Sequence, residues 1–267
     1  MRSSKTLAEM TYLDDIFMTA ALTDNEPAVR LMLRTILGMP DLSVKSFHVQ
    51  KILKSTHGRS IALDVLAEDS SGKIYNVEIQ NDKRGAHPRR ARYHAAMIDV
   101  RSLPEGKYYD SLPDCYVIFL TRDDVFGMNE PIYHFNRVCS ETDEPLCDGS
   151  HIVYVNCSHT DSSTELGRLI LDLRCPDPDK MAYKELAEKA RKLKTDGSWI
   201  GVHMDEIFQE GIRKGMAMGR AEAKAEGKAE SVHNLARNTN ISLNQAMDML
   251  LIPEGERAAI IALIEKM

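Results

Sequence analysis

One stretch constrains this chain more than any other: ALDVLAEDSSGKIYNVEIQ, residues 62–80. Two short apolar runs flank a polar turn, Glu68 to Lys73, that contains Gly72. That pattern predicts a β-hairpin. Side chains alternate along a strand, so Glu78 and Gln80 share one face while Val77 and Ile79 take the other. Asp64 sits between Leu63 and Val65 on the first run, although Asp is a poor strand former. Charged groups in an apolar setting need partners, and a divalent cation is a natural partner for carboxylates. A hairpin with one wet face fits the same alternation, with Asp64, Glu78 and Gln80 serving solubility alone. The abruptly basic sequence after Gln80 argues against that bland case.

Lys83, Arg84, Arg89, Arg90, Arg92 and Arg101 follow the hairpin, with Asp82 and Asp99 as the acidic residues among them. A solvated helix face is the usual meaning of such a charge run. Beside paired carboxylates, these cations are instead expected to position phosphates. The whole chain carries a net charge of −6, which argues against indiscriminate coating of nucleic acid.

At 267 residues the chain can bury a sizeable core, with one main domain and an appendage. No long apolar run predicts a membrane span, and the first residues lack the apolar stretch of a signal peptide. The five cysteines are scattered without a CxxC pair, which predicts reduced thiols and a cytoplasmic protein. Cys147, His151, Cys157 and His159 do not have the spacing of a zinc site.

Leu13 to Leu37 has helical periodicity with a break at residues 24–27, where Pro27 fits a first helical turn and Gly38 a terminus. Strands are expected at Val44 to Gln50, Ile61 to Glu68, Ile74 to Gln80, Cys115 to Thr121, Ile132 to Val138 and Ile152 to Val155. Arg89 to Leu103 reads as a helix with Tyr93, Met97 and Val100 on its apolar stripe, Tyr93 in the core and His94 at the surface. Ser163 to Leu173 is amphipathic. The resulting order of elements suits a three-layer α/β core.

From Met181 onward the composition is helical. Gly211, Gly215, Gly219, Ala223 and Gly227 recur every four residues, although each Gly costs a helix about 1 kcal/mol against Ala. A close-packing stripe would join copies into a homo-oligomer; a charged connector is the favoured alternative. Ser242 is expected to cap a helix with Ala246, Met249 and Leu250, and Pro253 to open one with Ala259, Ile260 and Leu263. Basic residues are too sparse there to assign DNA binding.

The order Asp, hairpin, Glu-X-Gln resembles the metal-binding core of the PD-(D/E)XK nuclease superfamily. The closer resemblance is to the PD-(D/E)XK nuclease family transposases, also called recombination-promoting nucleases. It extends over LDDIFMTAALTDN (residues 13–25), RRARYHAAMIDVRSL (89–103), YVIFLTRDDVFGMNEPIYHFNRVC (116–139) and the glycine-spaced tail from Glu210. The three motif residues alone are a weak signal; the ordered set is a strong one.

The resemblance implies a restriction-endonuclease-like core, a central mixed sheet flanked by helices, over residues 1–180. A connector at 181–230 and a small helical unit at 231–267 would follow. It implies a Mg²⁺-dependent endonuclease acting on double-stranded DNA, with Mn²⁺ or Ca²⁺ as alternative ions and RNA as the alternative substrate. Asp64, Glu78 and Gln80 would be catalytic. Asp64, Glu78 and the Ile79 carbonyl would hold the metal, supported by Asp15. Lys83, Arg84, Arg89, Arg90 and Arg92 would contact nucleic acid. Asp14 and Asp15 at a helix start also suit simple dipole compensation and capping. Gln80 stands where the superfamily name has Lys, and it cannot carry charge or move a proton at neutral pH. A non-catalytic nucleic-acid-binding or assembly protein on the same scaffold is the other reading.

Overall fold

The computed structural model describes residues 5–54, 60–81, 85–196, 227–237, 239 and 241–264. The chain divides into two units, Met1–Gly197 and Ser198–Met267.

The first unit is built on a six-stranded mixed sheet. Its strands are β1 (Val44–Leu53), β2 (Ile61–Asp69), β3 (Ile74–Gln80), β4 (Cys115–Thr121), β5 (Ile132–Phe135) and β6 (Ser150–Asn156), in the order β1-β2-β3-β4-β6-β5. β3, β4 and β6 run parallel, while β1, β2 and β5 are antiparallel to their neighbours. Parallel neighbours need a crossover, and α3 (Pro88–Ser102) supplies the one between β3 and β4. All seven residues of β4 are buried, as expected of a central strand covered on both faces.

Val117 and Phe119 pack with Ala91, Ala95, Met97 and Ile98 of α3. By strand alternation Ile118 and Leu120 face the other side. The remaining helices are α1 (Asp15–Leu22), α2 (Glu26–Leu37), α4 (Glu165–Arg174) and α5 (Lys184–Thr195). Helix α2 packs against α4 and α5, and both α1 and α2 touch β1. Tyr12 Oη donates to the Leu186 carbonyl at 2.9 Å, tying α5 into this unit.

Local chemistry sets the helix ends. Asn25 accepts from the Ala28 amide, Pro27 occupies the first turn of α2, and Gly38 ends it with φ of 63°. The expected strand from Ile132 to Val138 stops at Phe135, and Val138 keeps only an isolated bridge to Pro145. Conversely, β1 continues three residues beyond Gln50.

Helix α4 begins with Thr164 accepting from the Gly167 amide at 2.9 Å. A Cβ on Gly167 would lie 1.8 Å from the Asp161 carbonyl oxygen. Gly167→Ala is therefore expected to lower stability by about 3 kcal/mol, at the upper end of ordinary overpacking costs. Chemical denaturation measures it; an unchanged midpoint would show that the turn at Asp161 yields freely.

The second unit contains helical residues 227–237 and the helices Leu243–Met249 and Glu254–Ile264. Ser242 and Gln245 form a reciprocal capping box, with bonds of 3.2 Å and 3.0 Å. Ala229, Val232, Ala246, Met247, Ile252 and Ile260 make its small core. Within the Ser242-capped helix Met247 is buried, while Met249 and Leu250 are exposed. Of the glycine-spaced stripe, only Gly227 falls within the described residues. No helix among the described residues is long and apolar enough to cross a membrane.

Candidate active site

The sheet opens where the acidic residues meet. Between β2 and β3 the ladder ends at the pair Val65 and Val77. One residue farther on, Asp64 and Glu78 face one another across the opening. β2 nevertheless stays paired to β1 as far as Ile61, and β3 to β4 as far as Gln80. Backbone amides released by the opening are taken by side chains. Asp64 N–H donates to Glu78 Oε1 at 3.2 Å, and Ile79 N–H donates to Asp64 Oδ2 at 2.9 Å. Each carboxylate thus satisfies an amide on the opposite strand.

Both groups are enclosed: Asp64 is 8% exposed and Glu78 is 0% exposed. Burial pushes the Asp64 carboxyl well above the usual carboxylate range, and the Glu78 charge pushes it further. The Ile79 amide opposes this, Asp15 adds to it, and Arg90 also opposes it. Two like charges out of water are unfavourable unless a cation joins them.

One cation comes from α3. Arg90 Nη2 donates to Glu78 Oε2 at 3.1 Å, while Nη1 donates to Gln80 Oε1 at 3.2 Å and to the Gly85 carbonyl at 3.3 Å. Its Nε donates to His94 Nε2 at 3.3 Å. An Nε2 that accepts carries no proton, so the ring proton belongs on Nδ1. That Nδ1 lies 3.5 Å from Glu78 Oε1 and 3.3 Å from the Asn76 amide. Turning the Asn76 amide over would give the ring N–H an acceptor in Oδ1, which otherwise lacks a hydrogen-bond partner.

His94 is 2% exposed, so the expectation of a surface histidine fails. Of the apolar stripe expected on α3, Met97 lies inside as expected, and Tyr93 and Val100 do not. Tyr93 and Val100 are 37% and 73% exposed, while Ala91, His94, Ala95, Met97 and Ile98 are buried. Small residues mark the inner face here, and weighting by large side chains misses them. Arg90 and His94, four residues apart, share a helix face by simple periodicity.

Arg89 and Arg92 are exposed on α3. His87 caps that helix by accepting from the Arg89 amide at 3.1 Å. Lys83 and Arg84 lie outside the described residues.

Asp15 is the exposed first residue of α1, and its charge reaches Asp64. Asp14 does not cap α1 with its side chain. It accepts instead from Lys5 at 2.7 Å, from the Thr11 amide at 2.9 Å and from Arg122 at 3.4 Å. Arg122 also donates to Asn81 Oδ1 at 2.9 Å, and Asn81 Nδ2 donates to the Leu13 carbonyl at 2.9 Å. This chain of bonds fastens the start of α1 beside Gln80.

Burial raises the Asp14 carboxyl, but Lys5 and the Thr11 amide outweigh it and hold it below the ordinary range. A depressed folded-state value gives stability that is present above the unfolded range and lost as pH falls through the folded value. Asp14→Ala is expected to cost about 1 kcal/mol near neutral pH, because these ion pairs are partly exposed. Denaturation in acid should find the variant and the parent closer together; an equal gap in acid would contradict the ionic role.

Beyond α3, the sequence reading missed Gln50 on β1. Its Nε2 lies 3.3 Å from Asp64 Oδ1 and 3.2 Å from Thr19 Oγ1 of α1.

Residues 32–172 match the profile of the PD-(D/E)XK nuclease family transposases. The chain belongs to that family. The match contains Asp64, Glu78, Gln80 and the α3 arginines, while Asp15 precedes it. No curated protein and no solved structure matches the chain. In this PD-(D/E)XK family member the mixed sheet and its flanking helices have the α/β architecture that the family resemblance implies.

Proposed function

We propose that this chain is a Mg²⁺-dependent DNA endonuclease associated with recombination or mobile elements. The observation that carries the reading is the pair of buried carboxylates, Asp64 and Glu78, meeting where the sheet opens. Among the described residues no group of three or more His, Cys, Asp or Glu is arranged to hold a metal. Mg²⁺ sites commonly use only one or two carboxylates, with waters and substrate phosphates completing the shell. The two-carboxylate set fits that chemistry, and a cation there would relieve the mutual repulsion that burial enforces.

Asp64, Glu78 and the Ile79 carbonyl would hold the ion, with Asp15 in support and Mn²⁺ or Ca²⁺ as substitutes. When bound, such an ion polarises a phosphoryl oxygen and lowers the pKa of a bound water. Gln80 keeps its Oε1 on Arg90, which leaves Nε2 as the end able to donate to a water or a phosphate oxygen. It is not a general base. Arg90 supplies, from the helix, positive charge beside a motif position that has no lysine. Arg89 and Arg92 remain exposed for backbone phosphates, and the family resemblance assigns Lys83 and Arg84, outside the described residues, to the same contact.

Duplex DNA and duplex RNA of one sequence, incubated with the purified protein and Mg²⁺, test the substrate class. The expected result is fragmentation of DNA with RNA intact. Preferential RNA cleavage would reverse the assignment. Salt-sensitive DNA binding with no turnover of either would favour the non-catalytic scaffold.

A further inference from the structure

β1 lies at the sheet edge, and Gln50 within it departs from strand backbone. Its φ is 55°, in the left-handed region that a residue with a Cβ enters at a cost. The flanking pairs are Val49 with Val65 and Lys51 with Leu63. Gln50 therefore lies across from Asp64, at a step where no ladder pair forms. The distorted backbone coincides with an amide contact to Asp64 Oδ1 at 3.3 Å and a second contact to Thr19 Oγ1 at 3.2 Å.

The two oxygens of Asp64 are thus held from opposite sides. The Ile79 main-chain amide fixes Oδ2 from β3, and the Gln50 side chain reaches Oδ1 from β1. Two donors on different strands define the plane of a carboxylate, where one would leave it free to rotate. The Thr19 contact in turn anchors the Gln50 amide to α1. Strain of this kind persists only where surrounding structure enforces it, and here it falls opposite the site.

We propose that Gln50 is a positioning residue that orients the Asp64 carboxylate for a divalent cation, at the expense of local backbone stability. The inference rests on the reading of Asp64 and Glu78 as a metal site. Outer hydrogen-bond partners of metal-binding carboxylates typically govern affinity by about 10- to 100-fold.

Gln50→Gly removes the amide and also relieves the left-handed strain. Gln50→Ala removes the amide and keeps the strain. Calorimetric Mg²⁺ titration of the full chain and thermal melting of the metal-free protein separate the two effects. Both variants should bind Mg²⁺ about 10- to 100-fold more weakly than the parent. The glycine variant should melt at or above the parent temperature and above the alanine variant. Parent-like Mg²⁺ affinity in both variants would overturn the proposal while leaving the metal site intact. A glycine variant that melts below the parent would make Gln50 an ordinary structural residue and also overturn it. A parent protein that binds no Mg²⁺ would remove the metal-site reading and this inference together.

Discussion

Asp64→Asn is expected to eliminate plasmid cleavage and, in metal-free protein, to raise the melting temperature. Losing a carboxylate that helps hold a catalytic cation should reduce the rate by about a thousandfold or more, corresponding to about 4 kcal/mol of transition-state stabilisation. The stability change runs the other way for an electrostatic reason. Burial and the adjacent Glu78 push the Asp64 carboxyl upward. A raised folded-state value gives a contribution that is present below the unfolded range and lost as pH rises through the folded value. Near neutral pH, Asn removes that liability and can still accept from the Ile79 amide. Melting curves without metal, across neutral to mildly acidic pH, test this. The gap between variant and parent should narrow as pH falls. A variant less stable than its parent throughout would show that the carboxylate is a net structural asset.

Arg90→Ala is expected to destabilise the first unit by about 2 kcal/mol and to abolish cleavage. Glu78 is fully enclosed, and removing its guanidinium partner leaves a buried carboxylate without that cation. Breaking such a pair usually costs about 3–5 kcal/mol, and a smaller figure is expected here because Arg90 is 38% exposed and water can partly replace it. Arg90→Lys should recover part of the stability, because a compact ammonium cannot reproduce the fork across Glu78, Gln80 and Gly85. Adding Glu78→Gln to Arg90→Ala should lessen the damage, since the orphaned charge is then absent. Denaturant unfolding of the two singles and the double completes the cycle. Additive effects would show that the two residues act separately.

The Glu-X-Gln strand and its Asp-bearing partner were legible because strand alternation and the turn at Gly72 act locally. The all-buried β4 was legible for the same reason: CYVIFLT has no polar face to offer. What escaped depends on chain segments distant in sequence. Gln50 meets Asp64 only because β1 pairs with β2, and its left-handed backbone leaves no mark in composition. His94 and Arg90 turn inward because alanines, rather than the larger Tyr93 and Val100, mark the buried side of α3. Asp14 looked like a helix cap by position. Its side chain instead meets Lys5, Thr11 and Arg122, and Arg122, which directly follows β4, is 108 residues away along the chain.

The most direct test is nicking of supercoiled plasmid by the purified protein in Mg²⁺ and in EDTA, with the Asp64→Asn protein alongside. Nicking by the parent only in Mg²⁺, and none by the folded variant, is the predicted result. Equal nicking by both proteins, or none by a folded parent that still binds DNA, would contradict it.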